Sequence, residues 1–422
     1  MYYLAILLYD FAVRLVAPFH KKAEKMLAGQ KETFSILKKQ LNPEASYIWF
    51  HAASLGEFEQ GRPLIEKIRQ EKPEYKILLT FFSPSGYEIR KDYPGADIVC
   101  YLPFDHCWNA RKFIQLVKPV MAVFIKYEFW MNYLNQLKRR HIPTYIISAI
   151  FRPTQIFFRW YGCRYRKILN NYKWFFVQDQ QSLELLKRFK RHNASITGDT
   201  RFDRVYEIFE QRKELPLIEK FLNRTENGKG TTLVAGSTWV KDEEILIPYF
   251  NQHPEIKLII APHEISEQRI EALKNRLTRP AVRYSQADEN TVGDAGCLIM
   301  DCFGLLSSVY RYGDLAYVGG GFGKGIHNIL EAAVYGIPIL FGPEYYKFKE
   351  AKELIAHSGA IAVRSEEEFS SCMNNFLSYP NLIHEKGKNA KEYVLGNLGA
   401  THKIYEKLRE LGIRSWELGI RS

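Results

Sequence analysis

The chain has 422 residues, more than one hydrophobic core comfortably supports, so two domains are expected. Apolar residues make up 46% and charged residues 25%, a balance that excludes a largely disordered chain. A formal net charge of +12 points to anionic partners, and without zinc-finger spacing or an RRM-type aromatic signature it favours lipid or small-molecule phosphate over nucleic acid.

Six cysteines (100, 107, 163, 297, 302 and 372) form no C-x-x-C pair, so they read as reduced thiols of a cytosol-facing protein. Residues 1–19 are rich in Leu, Tyr, Phe and Val and precede His20-Lys21-Lys22. The stretch is long enough for a short membrane span. Asp10 and Arg14 interrupt it, each costly at a bilayer centre. Four residues apart, they can pair on one helix face. No small-residue cleavage site follows, which argues against a removed signal peptide. Three readings stay open: a helix lying among lipid headgroups, a single span, or an amphipathic helix docked on the domain that follows. The first two attach the chain to a membrane with basic residues on the cytoplasmic side.

From Tyr47 the chain repeats a short β-branched or aromatic run followed by a helical stretch. The runs are Tyr47–Ala52, Lys76–Phe82, Asp97–Tyr101, Val120–Ile125, Pro143–Ser148 and Lys173–Val177. A second series comprises Thr231–Ala235, Lys257–Ala261, Cys297–Met300, Leu315–Val318 and Ile337–Phe341. Strand–helix alternation with nearly continuous apolar strands implies parallel sheets covered on both faces. The charged stretch 201–230, ending Asn227-Gly228-Lys229-Gly230, is the linker candidate. The expected architecture is α/β, with two doubly wound domains facing across a cleft. The expected divisions are an N-terminal anchor helix (1–25), a first domain (26–210), a second (211–405) and a tail (406–422). In the tail the six residues Glu410–Ser415 recur after Trp416.

Ligands of such sheets sit beyond the carboxyl ends of the strands. After the first strand, Ser54-Leu55-Gly56-Glu57-Phe58 opens a helix. Ser54 and Glu57 fit a capping box. Equally, Glu57 at a cleft edge could take a proton from a hydroxyl. Ala235-Gly236-Ser237-Thr238 offers small residues where a helix N-terminus could meet a phosphate. The run Gly319–Gly325, with Gly321 at its centre, matches neither G-x-G-x-x-G nor a P-loop, which disfavours a dehydrogenase and a P-loop NTPase. It still permits close backbone approach to a ligand. In His327-Asn328-Ile329-Leu330-Glu331, a helix starting near Asn328 would put Glu331 in its first turn, able to accept from ribose hydroxyls. Pro262-His263 and Lys126-Tyr127-Glu128-Phe129-Trp130 end strands, where they could meet ligand or be plain surface residues. No cluster has metal-ligand spacing.

Taken together, Ser-x-Gly-Glu, Gly198-Asp199-Thr200-Arg201-Phe202-Asp203, Ala-Gly-Ser-Thr, Val318-Gly319-Gly320, and His-Asn-x-Leu-Glu with Gly342-Pro343 resemble the 3-deoxy-D-manno-octulosonic acid (Kdo) transferases. The resemblance implies a GT-B fold and transfer of Kdo from CMP-Kdo to the lipid A precursor lipid IVA. It also implies attachment to the cytoplasmic face of the inner membrane and catalysis with neither metal nor cofactor. The family's catalytic glutamate falls on Glu57. Its CMP-contacting positions fall on Pro262 and His263, on Gly304-Leu305-Leu306, and on Asn328-Ile329-Leu330-Glu331; Gly236, Ser237 and Gly321 are further nucleotide-site candidates. Lys126 stands where relatives carry an acid, Arg201 where they carry Lys, and Pro262-His263-Glu264 lacks the arginine of the usual Pro-Arg-His. Competing readings are a UDP-sugar-dependent GT-B transferase of the cell envelope, or another UDP-sugar enzyme such as an epimerase, and a non-catalytic basic protein that binds anionic lipid.

Overall fold

The computed structural model describes residues 2–223 and 230–411. Residues 224–229 of the linker candidate, with its Asn227-Gly228-Lys229, and the duplicated tail from Gly412 lie outside them. Two compact units emerge: residues up to Arg204 together with the chain from Leu398, and Val205–Asn397.

In the first unit the strands are β1 (Tyr47–Ala52), β2 (Lys76–Phe81), β3 (Ile98–Tyr101), β4 (Met121–Ile125), β5 (Thr144–Ala149), β6 (Trp174–Val177) and β7 (Ala194–Ile196). All pair in parallel in the order β3-β2-β1-β4-β5-β6-β7. Strands β1 and β4 are buried along their full length because each face carries its own apolar cluster. One cluster centres on Trp49, Phe113, Phe124 and Tyr133, the other on Phe50, Phe58, Phe81 and Ile125.

The second unit contains β8 (Thr231–Thr238), β9 (Ile256–Pro262), β10 (Ala281–Arg283), β11 (Cys297–Ile299), β12 (Leu315–Val318), β13 (Ile339–Phe341) and β14 (Ala360–Ala362). They too are all parallel, in the order β10-β11-β9-β8-β12-β13-β14. The strand–helix reading therefore holds, and the architecture is that of the GT-B class. It passed over β7, β10 and β14. Each is three residues long and forms a sheet edge, too short for a run of apolar residues to stand out.

Two expectations about connections change. The linker candidate carries the helices Thr200–Glu210 and Pro216–Leu222, formed because Phe202, Val205, Ile218 and Phe221 have cores to enter. The last helix, Ala400–Glu410, packs Ile404, Tyr405 and Leu408 into the first unit's core. Asp203 holds its entry by accepting from the Gly399 and Thr401 amides at 2.6 Å each.

The N-terminal helix Tyr2–Val16 docks on the first unit through polar groups. Arg14 Nε donates to Asp10 at 2.6 Å, the pairing the sequence suggested, and Asp10 also meets His106 Nε2 at 2.9 Å. Tyr2 donates to the buried Asp105 and accepts from the Met131 amide at 3.2 Å. Tyr9 packs its ring on Phe82 and Phe104. The opposite face, Leu4, Leu8, Phe11 and Leu15, is exposed, and Phe19 beyond the helix is 90% exposed. With Phe19 the segment is long and apolar enough to cross a membrane by length and composition.

In the second sheet the strand order reverses between β8 and β12, and the loop after β12 closes on backbone rather than side chains. A Cβ on Gly321 would lie 2.5 Å from the Gly342 amide nitrogen, and backbone cannot yield as a side-chain tip can. Gly321→Ala should therefore destabilise the second unit by about 1–3 kcal/mol, read as a lowered melting temperature.

Candidate functional site

In a doubly wound sheet the crevice opens where neighbouring connections depart in opposite directions. For the first sheet this lies between β1 and β4, and the residues just beyond both strands are the sequence candidates. Ser54, extended at φ −143°, is the N-cap of the helix Leu55–Glu71. Its side chain caps no backbone amide. Its hydroxyl instead donates to the Glu57 carboxylate, so the expected capping box is replaced by a direct Ser54–Glu57 pair. Glu57 is half-buried in the first helical turn, where unpaired amides favour a negative charge.

Across the switch point β4 runs into Lys126, held in the left-handed region at φ 72°. Its ammonium stands 5.4 Å from the centroid of the Tyr127 ring. Burial raises the Tyr127 phenol, and Arg152, Glu57 and Arg201 lie within its electrostatic reach. Arg201 donates to Asp199 through its amide at 2.9 Å and through Nε at 2.8 Å. Gln60 adds a bond to Asp199 at 3.1 Å. Burial works against ionisation of Asp199, yet the Arg201 guanidinium and amide, with Lys126 nearby, hold it below the usual carboxylate range. Glu57, Lys126 and Arg201 thus meet around Tyr127 and Asp199.

A support lies beneath them. Glu128, almost fully buried, accepts from the Trp130 indole and stands 3.2 Å from His51 Nε2. His51 Nδ1 contacts Thr80 Oγ1 at 2.9 Å, and the Tyr172 hydroxyl donates to the Glu128 carbonyl. The loop bearing Lys126 and Tyr127 is therefore pinned to β1, β2 and the segment before β6. His51 and Glu128 were visible in the sequence, but only pairing across strands reveals their partnership.

The second unit's crevice lies beyond β8 and β12. Ala235-Gly236-Ser237-Thr238 proves to be the end of β8 rather than the turn after it, with Ser237 bulged at φ 54°. Gly236 is required by packing, since a Cβ there would fall 2.0 Å from the Tyr310 hydroxyl. The helix after β8 starts at Val240, and its third residue, Asp242, accepts from the Trp239 and Gly320 amides and from the Tyr317 hydroxyl at 2.8–2.9 Å. Burial raises the Asp242 carboxyl despite these donors. Asp242 locks the glycine loop to β8.

Three rings line this edge. Trp239 Nε1 donates to His327 Nε2 at 3.1 Å, which sets the two rings edge to edge. His263, whose amide donates to the Thr238 carbonyl, stacks on both with centroids 4.5 Å away. His263 is exposed, while Pro262 before it is buried. Desolvation and the neighbouring His263 lower His327 to about 4, so it stays neutral and accepts the Trp239 proton. Trp239 was absent from the site expected by sequence, and His327 entered only as the first residue of its motif with no role; aromatic rings flanking two strand ends were the available signal.

Close by, Asn328 Nδ2 and Ser307 Oγ both donate to Glu331. The helix expected from Asn328 is a single turn, Leu330–Ala333, closed by Gly336 at φ 74°. So short a helix has little dipole to offer a phosphate. Ile329 and Leu330 have buried side chains and can present only backbone to a ligand. Gly304 is exposed, while Leu305 and Leu306 lead into the helix Leu306–Val309 that carries Ser307.

Neutral His327 makes the second unit acid-sensitive. A folded value near 4 against 6.5 when unfolded means its stability contribution is complete above pH 6.5 and is lost as pH falls through about 4. Thermal melts across that range should show a shallower acid slope for His327→Gln than for the parent chain, and an identical slope would refute the assignment.

A family model described as "3-Deoxy-D-manno-octulosonic-acid transferase (kdotransferase)" matches residues 28–204. The chain is 28% identical over 392 residues to the 3-deoxy-D-manno-octulosonic acid transferase of Aquifex aeolicus, covering 89% of this chain and 98% of that protein. The transferase of Haemophilus influenzae is 24% identical, with 87% of each chain covered. In fold the chain resembles the UDP-GlcNAc 2-epimerase of Neisseria meningitidis (TM-score 0.61, 14% identity, 86% of this chain and 100% of that one). It also resembles MurG of Acinetobacter baumannii (TM-score 0.53, 13% identity, 86% and 99%). With the sequence match running from the glutamate-bearing first unit through the second, the chain is a glycosyltransferase similar over most of its length to the Kdo transferases.

Proposed function

We propose that the protein transfers Kdo from CMP-Kdo to the lipid A precursor lipid IVA at the cytoplasmic face of the inner membrane. The transfer inverts the anomeric centre and uses no metal, with Glu57 as general base. The observation that carries this reading is the half-buried Glu57 at the reversal of the first sheet, paired with Ser54 and close to Tyr127. The acceptor hydroxyl oxygen attacks the Kdo anomeric carbon and forms the new C–O bond. The bond to the CMP phosphate oxygen breaks, its electron pair leaves with CMP, and the hydroxyl proton passes to Glu57. Lys126 and Arg201 supply positive charge for the Kdo carboxylate and for charge developing in the transition state.

The donor binds at the second unit's strand ends. The outer face of the His263 ring meets the nucleotide beside Pro262, and Glu331, oriented by Asn328 and Ser307, accepts from ribose hydroxyls. Backbone at Ile329, Leu330, Gly304-Leu305-Leu306, Gly236-Ser237 and Gly321 completes the pocket. Both substrates are anionic, as suits a chain of net charge +12 at an anionic membrane. The N-terminal helix lies in the membrane plane, because Tyr2, Asp10 and Arg14 are engaged on its inner side while Leu4, Leu8, Phe11 and Leu15 face outward.

Incubation with CMP-Kdo and lipid IVA, followed by product mass, tests the reading. Glu57→Gln should lower turnover by roughly 100-fold or more with the melting temperature unchanged, and retained transfer would refute the base. Transfer should survive a chelator, and CMP should inhibit far better than UDP. The reverse nucleotide order would favour a UDP-sugar donor.

A further inference from the structure

A surface separate from the catalytic residues carries an unusual combination of side chains. After β5 the chain enters short helical turns, Ile156–Phe158, Trp160–Gly162 and Cys163–Arg166. Phe157 enters the first unit's core and Phe158 packs against it. Arg166 is turned inward, donating to the Phe157 carbonyl at 2.8 Å and lying 4.0 Å from the Phe189 ring centroid. The segment is thus anchored from within. Outward it presents Trp160, 89% exposed, and Tyr161, 58% exposed, with their rings paired edge to face. Arg159, Arg164 and Lys167 surround them, all exposed.

A Trp almost wholly in water beside a half-exposed Tyr forms an apolar patch that is unfavourable unless something covers it. The occupant is indicated by composition and position. Trp and Tyr ringed by cations match the headgroup region of an anionic bilayer, where amphipathic rings sit at the apolar boundary and guanidinium and ammonium groups meet phosphates. The segment is also continuous with the N-terminal helix, since Tyr165 lies within electrostatic reach of Tyr2. That helix runs past the carboxyl ends of β2, β3 and β4 through Phe82, Phe104, His106 and Met131, and the segment follows the carboxyl end of β5. Both lie on the edge that bears Glu57.

We propose that residues 156–167 form a second bilayer contact, with Trp160 and Tyr161 entering the headgroup region and Arg159, Arg164 and Lys167 pairing with lipid phosphates. Two contacts on one edge orient the unit, so that Glu57 faces the lipid surface at a fixed height. This rests on the membrane reading of the N-terminal helix, but not on the identity of the donor.

The test is co-sedimentation of the full chain with vesicles of phosphatidylethanolamine and phosphatidylglycerol at 3:1, or of phosphatidylcholine alone. Trp160→Ser with Tyr161→Ser should reduce partitioning at least tenfold. Arg164→Ser with Lys167→Ser should reduce it by roughly fivefold per charge on the anionic vesicles at low salt and leave phosphatidylcholine binding unchanged. Brominated lipid should quench Trp fluorescence of the parent chain more than that of Trp160→Phe, a readout that holds even if a double variant misfolds. Partitioning within twofold of the parent for both pairs, with no difference in quenching, would overturn the proposal. Loss of binding in Leu8→Asp with Phe11→Asp alone would leave the helix reading standing while refuting the second contact.

Discussion

Every strand in both sheets runs parallel to its neighbours, and that constraint governs where chemistry can occur in this chain. A parallel pair needs a crossover over one face of the sheet, so all carboxyl ends gather at one edge and the loops there are free of the sheet's hydrogen bonds. Where the order turns at β1/β4 and at β8/β12, neighbouring loops separate and open a crevice. Glu57 and Lys126 in one unit, and Trp239, His263 and His327 in the other, stand beyond carboxyl ends of this kind. The faces of the sheets are occupied by core, which leaves this edge free to meet a ligand.

Loops freed from the sheet must be held by something else, and here buried acids hold them. Asp199 receives Gln60 and Arg201, Glu128 receives Trp130 beside His51, and Asp242 gathers two loop amides and the Tyr317 hydroxyl. A buried carboxylate is costly unless nearly every lone pair is used, so each such group fixes the geometry around it. The cations at positions 126 and 201 become intelligible in this light. Lys126 lies within electrostatic reach of Asp199. Arg201 uses its fork to grip the same carboxylate.

Much of this was legible beforehand. Long central strands such as β1 and β4 announce themselves as unbroken apolar runs, because a strand covered on both faces has no polar side to show. Edge strands of three residues carry too little pattern. The glycine run after β12 was conspicuous, but its cause was not: Gly321 is small because another backbone passes it, a fact about a distant residue, Gly342. Ser54 likewise looked like a cap, and only coordinates distinguish an oxygen that accepts from an amide from one that donates to Glu57.

From the sequence alone came the α/β class, the apolar N-terminal helix with its Asp10–Arg14 pair, and Glu57 as the residue to examine. These are local properties: residue type, period and spacing along one stretch of chain. Tertiary structure decided what depends on separation in sequence. It brought Arg201 to Asp199 and Tyr127 beside Lys126, stacked His263 over Trp239 and His327, returned the last helix to the first unit, and turned Leu4, Leu8, Phe11 and Leu15 outward by engaging Tyr2 and Asp10 on the other face. A one-dimensional pattern can state which side chains need burial or a partner. Which partner each one finds is settled by the crossovers that bring distant strand ends together.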